Sequence, residues 1–413
     1  MTANAGNFLR MRFREYYRDH GSKIPSPTSI ERREFGFLLF REGLMVRHRS
    51  FKGINELGKT LADLGPSDVY YSAAYYDYPT EDMDKKGWQG SNLIFDIDAD
   101  HLESDCVRTH IVWTCERCQK TGVDQPPSRC PECGGRIHDT YWICEDCLEA
   151  TKRETIKLID FLTNDFGFSY KDMLVCFSGN RGYHIHVEEK KVTDLDQLAR
   201  KEIVDYLRGT GLEIGLHGLS EEDFTSRKMN PGPDLTDPGW RGRLARAIYS
   251  LVSRTSVEEL VNQVGLPRRT AETITSGKDN ILESWRSSPP WHSVAGVGAK
   301  SWEKIVQFAI KRQIVNIDTV VTSDIHRLIR LPETLHGKTG FRTAIVPLEE
   351  LDRFNPLSDA QAFGRETTKI HVMNSPEFRL GGEDYGPFKD ERVDLPADVA
   401  IMLMCKGLAV PQD

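Results

Sequence analysis

The chain has 413 residues, 39% of them hydrophobic and 28% charged, and a formal net charge of −8. At roughly 150 residues per domain this predicts two or three domains of globular composition, and the acidic balance argues against a protein that coats nucleic acid over its whole surface. No apolar run approaches the roughly 18 residues of a membrane span, and no signal-peptide core precedes Tyr17, so a cytoplasmic location is expected.

Residues 6–20 read as a helix, and Arg33–Phe40 and Gly43–Arg49 as two strands joined by a turn. A tyrosine-rich stretch, 68–78, precedes a short apolar strand, Leu93–Ile97. A helix is predicted from about Glu149 to Asp165, with Ile156, Leu158, Ile159 and Leu162 on its apolar face. Met173–Phe177 and Tyr183–Val187 read as strands. Helical patterns dominate 195–312, and short strands and loops follow, ending in a helix opened by Pro396. The fold class is therefore mixed α/β (α+β). Its expected parts are a core (1–103, 149–194, 313–413), an insertion (104–148) and a mostly helical subdomain (195–312). Two short basic runs, Trp240–Arg254 and His326–Arg342, are candidate anion or nucleic-acid surfaces, each with a solvated face as its alternative. Val294–Lys300 is similar to a helix-hairpin-helix turn, although a plain packing corner explains it more simply.

The strand Leu93–Asp98 carries the first chemical motif. Alternation puts Asp96 and Asp98 on one face, where two carboxylates repel unless cations lie between them. Hard oxygen ligands suit Mg²⁺ or Mn²⁺. An isolated Asp-x-Asp at a strand end is nevertheless most often just solvated. Next, Ser178-Gly-Asn-Arg181-Gly-Tyr-His184 joins two strands through glycines, giving a concave turn that suits an anion. Arg181 offers a bidentate fork for phosphate oxygens. Later, Arg330, His336 and Lys338, with Gly337 and Gly340, form a second candidate phosphate turn. Asp318 and Asp324 are each available as a third carboxylate; Asp324 is also a candidate helix cap.

Nine cysteines are present, six of them between Cys115 and Cys147 as three CxxC pairs. This spacing reads as zinc rather than disulfides. Tetrahedral zinc takes four ligands. One partition assigns Cys115, Cys118, Cys130 and Cys133 to one ion. Cys106, His110 (or His138), Cys144 and Cys147 would then hold a second. One or two structural zinc ions are expected.

These motifs occur in one order: Asp-x-Asp, a cysteine element, Ser-Gly-x-Arg-Gly-x-His, then an aspartate eighteen residues before His336-Gly-Lys-Thr-Gly340. The combination resembles the small catalytic subunit of archaeal and eukaryotic DNA primases over nearly the whole chain. Arg33-Glu34-Phe35, Met45-Val46-Arg47, Tyr75–Pro79 and Lys86-Gly87-Trp88 match early family positions, and the phrase from Arg327 to Gly340 is similar to the archaeal form. The resemblance implies a mixed-sheet primase core with a zinc insertion. It implies Asp96, Asp98 and Asp318 as the ligands of two catalytic Mg²⁺ or Mn²⁺ ions, favouring Asp318 over Asp324. It implies that Ser178, Arg181, His184, Arg330, His336 and Lys338 hold the nucleotide, with Glu34 and Arg47 near it. The expected activity is nucleotidyl transfer: template-directed synthesis of short primers from nucleoside triphosphates for DNA replication, on single-stranded template, with a separate large subunit, in the archaeal cytoplasm at the nucleoid. Two departures stand out: Asn180 replaces a residue that is basic in some relatives, and the cysteine region is longer than a one-zinc knuckle. The alternatives are a repair or end-joining polymerase of the same superfamily, which extends existing ends, and a non-catalytic zinc-ribbon module that binds DNA.

Overall fold

The structure is a computed structural model that describes residues 3–40, 43–102, 111–118, 120–123, 125–225, 232–285 and 290–412. It divides into two compact units. The first comprises Met1–Ile156, Ser169–Lys201 and Asn316–Asp413; the second comprises Lys157–Phe168 and Glu202–Val315.

In the first unit the mixed α/β architecture is built from small sheets, and every strand pair among the described residues is antiparallel. β1 (Phe35–Leu38), β2 (Met45–Arg49) and β3 (Asp68–Ser72) join β12 (Leu328–Arg330) in the order β12-β3-β1-β2. β4 (Ala74–Tyr76) and β5 (Trp88–Ser91) form a small ribbon leading into β6 (Leu93–Asp98). β6 pairs with β11 (Gly182–Val187), and β11 with β10 (Met173–Phe177). The β7 (Ile111–Cys115), β8 (Thr121–Val123) and β9 (Ile137–Tyr141) strands make the cysteine-bearing sheet, in the order β8-β7-β9.

β6 and β11 are strands because β-branched and aromatic residues dominate them and both faces are covered. Leu93, Phe95 and Ile97 of β6, and Tyr183, Ile185 and Val187 of β11, are fully buried on one face. Burial of each such side chain contributes about 1.5–3 kcal/mol. The register Asp98↔Gly182, Asp96↔His184 and Ile94↔His186 puts the acids and the histidines together on the other face. Gly182 permits this pairing, because a Cβ there would lie 2.0 Å from the Ile97 carbonyl oxygen.

Two expectations shift. The long helix starts at Glu145 and runs to Asn164, four residues earlier than predicted, with Glu145 and Asp146 favourably placed in its first turn. Cys147 therefore lies inside a helix and not in an irregular metal-held segment. Ile156, expected on the apolar face, is 37% exposed, whereas Leu158, Ile159, Phe161 and Leu162 are buried. The buried stripe runs Leu148, Thr151, Thr155, Leu158, Ile159 and Leu162, so Thr155 and not Ile156 takes the inward position.

The second unit is helical. Trp291 meets Trp285 and Trp302 edge-on, at 6.5 and 6.4 Å between centroids. Three arginines of its basic run are bonded within the unit. Arg243 is buried over the Phe161 ring and bonds Asp160 and Asp165 at 2.6 and 2.8 Å. Arg241 bonds Asp237 at 2.7 Å, and Arg246 bonds the Leu235 carbonyl at 2.7 Å. Arg241, Arg243 and Arg246 thus serve the packing of this unit, while Arg254, at the end of the run, is exposed. The glycine turn at Gly296 leads into the helix Ala299–Gln313, whose Trp302, Ile305, Val306 and Ala309 are buried. No described helix is long and apolar enough to cross a membrane.

Candidate active site and metal centre

Three carboxylates converge at the end of β6. The Asp318 backbone amide donates to the Asp96 carbonyl at 2.9 Å, fixing the start of the short helix Thr319–Ser323 beside the strand. Asp318 caps that helix: its Oδ1 accepts from the Val320 and Val321 amides at 2.9 and 3.2 Å. Its Oδ2 lies 3.9 Å from the His101 ring, so one oxygen is committed to the cap and the other is not. Burial pushes the Asp96 carboxyl up, and the charges of Asp98 and Asp318 push it further, to about 7; Arg327 and Arg330 offset only part of this. Carboxylate oxygens are hard donors of the kind Mg²⁺ or Mn²⁺ takes, although among the described residues only the four-cysteine set has its ligand atoms within 4.8 Å of one another. Asp324 instead caps a turn through the His326 amide at 2.9 Å.

The first glycine turn sits beside this cluster. Ser178 Oγ accepts from the Gly182 and Asn180 amides at 3.2 and 3.4 Å, holding the turn closed. Arg181, only 4% exposed, donates to Asp100 at 2.6 Å and lies 3.7 Å from Asp98, while its Nε has no partner among the described residues. His184 Nε2 is 3.6 Å from Asp96 Oδ1, and its buried Nδ1 is likewise without a described partner. Burial, then the neighbouring His186 and Arg330, holds the His184 ring neutral, well below the usual histidine range. Buried donors left unsatisfied are costly, and a site that binds anions is where they are expected.

The second turn is fastened to the first. Thr339 Oγ1 donates to the Gly179 carbonyl at 2.5 Å. Gly179 has φ +82°, and a Cβ there would come within 2.7 Å of the His336 Cβ. His336 is buried and accepts the Lys338 amide on Nδ1 at 3.1 Å; burial and Arg330 keep its ring neutral. Lys338 itself is exposed. Arg330 forms a buried ion pair with Asp68 and reaches the Tyr70 hydroxyl at 3.3 Å. Burial raises the Asp68 carboxyl, but Arg330, the Gly337 amide and the Ser67 hydroxyl outweigh it and hold Asp68 at about 2. Gly337 is required here, since its Cβ would meet Asp68 at 2.7 Å.

The structure thus brings together Asp96, Asp98, Asp318, Ser178, Arg181, His184, Arg330, His336 and Lys338. Glu34 and Arg47 lie in a neighbouring cluster: Arg47 bonds Glu34 at 3.0 and 3.3 Å, and Lys86 is 3.2 Å from the same carboxylate. Burial raises Glu34, but Arg47 and Lys86 outweigh it and lower its pKa. The strand order separates Arg47 on β2 from Arg330 on β12 by three strand spacings, roughly 14 Å. Asp68 and Tyr70, which hold Arg330, are not marked by any motif in the sequence. Only its partner Arg330 identifies Asp68.

Cys115, Cys118, Cys130 and Cys133 gather with all sulfurs within 4.8 Å of one another. Two of the sulfur pairs are 3.4 and 3.5 Å apart. A tetrahedral ion with Zn–S near 2.3 Å sets a sulfur–sulfur edge of about 3.8 Å. The Arg117 and Cys118 amides point at Cys115 Sγ, at 3.4 and 3.5 Å. Gly135 makes room, as its Cβ would lie 3.0 Å from that sulfur. This four-cysteine set fits zinc. Cys144 and Cys147 lie apart from it at the start of the long helix. Cys106 and His110, proposed to complete a second set, fall outside the described residues, and His138 is exposed on β9.

A family model described as DNA primase small subunit matches residues 137–347. The DNA primase small subunit PriS of Methanothrix thermoacetophila is 34% identical over 99% of both chains. That of Cenarchaeum symbiosum is 35% identical over 96% of both chains, and that of Methanococcoides burtonii is 32% identical over 97%. With this likeness running nearly end to end, the chain belongs to the DNA primase small subunit family.

Proposed function

We propose that this chain is the catalytic subunit of a DNA primase that synthesises short primers on single-stranded template by nucleotidyl transfer from nucleoside triphosphates. The observation that carries the reading is the junction of three carboxylates with two glycine turns joined by Thr339 and Gly179. Asp96, Asp98 and Asp318 would hold two Mg²⁺ or Mn²⁺ ions. When bound, such ions lower the pKa of an attacking hydroxyl and neutralise a leaving pyrophosphate.

The chain's own residues do the positioning. Arg181 and His184, with buried unpartnered nitrogens, would face the triphosphate from the first turn. Lys338, and Arg330 oriented by Asp68 and Tyr70, would face it from the second. The neutral rings of His184 and His336 donate hydrogen bonds without adding charge. Preorganised donors of this kind stabilise developing charge at little reorganisation cost. The name of the relatives implies a large-subunit partner, and this chain is proposed to pair with one.

The test is primer synthesis on unprimed single-stranded DNA with nucleotides and Mn²⁺. The parent chain, with its large subunit, makes short products. The Asp96→Asn/Asp98→Asn protein, folded and zinc-loaded, loses at least about a thousandfold in rate. Synthesis near the parent level by that variant would refute the assignment. Products that appear only when a primer is supplied would point to an end-extending repair polymerase.

A further inference from the structure

Tyr141 ends β9, the last strand of the cysteine-bearing sheet, and is 37% exposed. Its ring lies beneath the Arg181 guanidinium, 4.7 Å from guanidinium carbon to ring centroid. Its backbone carbonyl accepts from the buried Lys406 Nζ at 2.8 Å. Lys406 also sits 5.2 Å from the Trp142 ring, and Trp142 stacks on Phe378 at 4.9 Å. The backbone immediately after the tyrosine is therefore pinned. At its other end β9 pairs Ile137 with Cys115, a member of the four-cysteine set. One five-residue strand thus runs from the zinc ligands to the arginine of the first turn.

Arg181 has reason to need this contact. It is tethered to Asp100 through a single nitrogen, with Asp98 a further 1.1 Å beyond (3.7 against 2.6 Å). A guanidinium tied at one corner can swing about that bond. An aromatic face restricts the swing and uses none of the N–H donors, leaving them for an anion.

We propose that Tyr141 is a positioning residue for Arg181, through which the folded zinc ribbon sets affinity for the triphosphate. The inference rests on the assignment of Arg181 to the triphosphate made above. Tyr141→Ala leaves the backbone carbonyl, and hence the Lys406 bond, in place.

The experiment titrates ATP with Mn²⁺ into the zinc-loaded full chain and measures KM and kcat with the large subunit present. Tyr141→Ala weakens ATP binding and raises KM about threefold to tenfold while kcat holds. Tyr141→Leu, which keeps apolar bulk without a π face, does the same and stands in if the alanine variant loses zinc. Tyr141→Phe restores parent affinity. In an Arg181→Ala background, Tyr141→Ala adds no further loss. Parent-like affinity in the alanine and leucine variants, or a full additional loss in the Arg181→Ala background, overturns the proposal. Parent-like affinity in Arg181→Ala alone overturns the underlying assignment instead, so the two failures are distinguishable.

Discussion

The backbone amide of Asp318 donates to the backbone carbonyl of Asp96 at 2.9 Å, across 222 positions of sequence. This bond brings a helix-capping aspartate to the end of β6 and assembles the acidic cluster. It makes the carboxylate geometry a property of the backbone, so side-chain substitutions that preserve the cap test chemistry without disturbing the fold.

The pH dependence of stability reports the cluster directly. Asp96 is raised from 3.8 to about 7, chiefly by burial and then by Asp98 and Asp318. Between about pH 4 and pH 7 the folded chain keeps a proton that the unfolded chain has released, so this group's contribution to stability falls as pH rises through that window. Asp96→Asn carries no such proton. Without added divalent metal, the variant gains stability relative to the parent from pH 4 to pH 7, by about 2 kcal/mol once partial solvent screening is allowed for. Thermal melting at several pH values checks this; Mn²⁺ should then stabilise the parent more than the variant.

Asp68 behaves in the opposite sense. Held at about 2 against 3.8, it contributes stability above pH 4 that is lost as pH falls through 2. Asp68→Ala strands the buried Arg330 and the Gly337 amide. The expected cost is about 3–5 kcal/mol by denaturant titration, with a raised KM for nucleotide.

Gly182→Ala drives a methyl group into the Ile97 carbonyl, 2.0 Å away. Backbone yields less readily than a side chain, so a loss of roughly 3 kcal/mol is expected, with Arg181 displaced and activity reduced. Gly134→Ala, at φ +68° but with open space around it, should cost less in the same melting assay.

Cys115→Ser removes one ligand from a four-sulfur set. Metal analysis should show one zinc fewer per chain, and limited proteolysis should open the 111–141 region first. Retention of the full zinc content would mean that this set does not bind zinc in the protein.

How much of this was legible in the sequence depends on range. Local alternation put Asp96 and Asp98 on one face, and glycine spacing marked both turns. CxxC spacing marked three pairs, of which the first two converge among the described residues. What local pattern cannot carry is who pairs with whom. Asp68 gave no signal because its role exists only through Arg330, 262 positions away. The Trp240–Arg254 run looked like a nucleic-acid surface because its partners Asp160 and Asp165 lie elsewhere in the chain. Choosing Asp318 over Asp324 rested on family likeness, since both residues cap a turn or helix.

The most direct measurement compares Asp318→Asn with Asp324→Asn in primer synthesis on unprimed single-stranded DNA. Asparagine caps a helix about as well as aspartate, so both proteins should fold. Asp318→Asn is expected to lose at least about a hundredfold in rate while Asp324→Asn stays near the parent. Parent-like synthesis by Asp318→Asn, with zinc bound and melting unchanged, would contradict the Asp318 assignment.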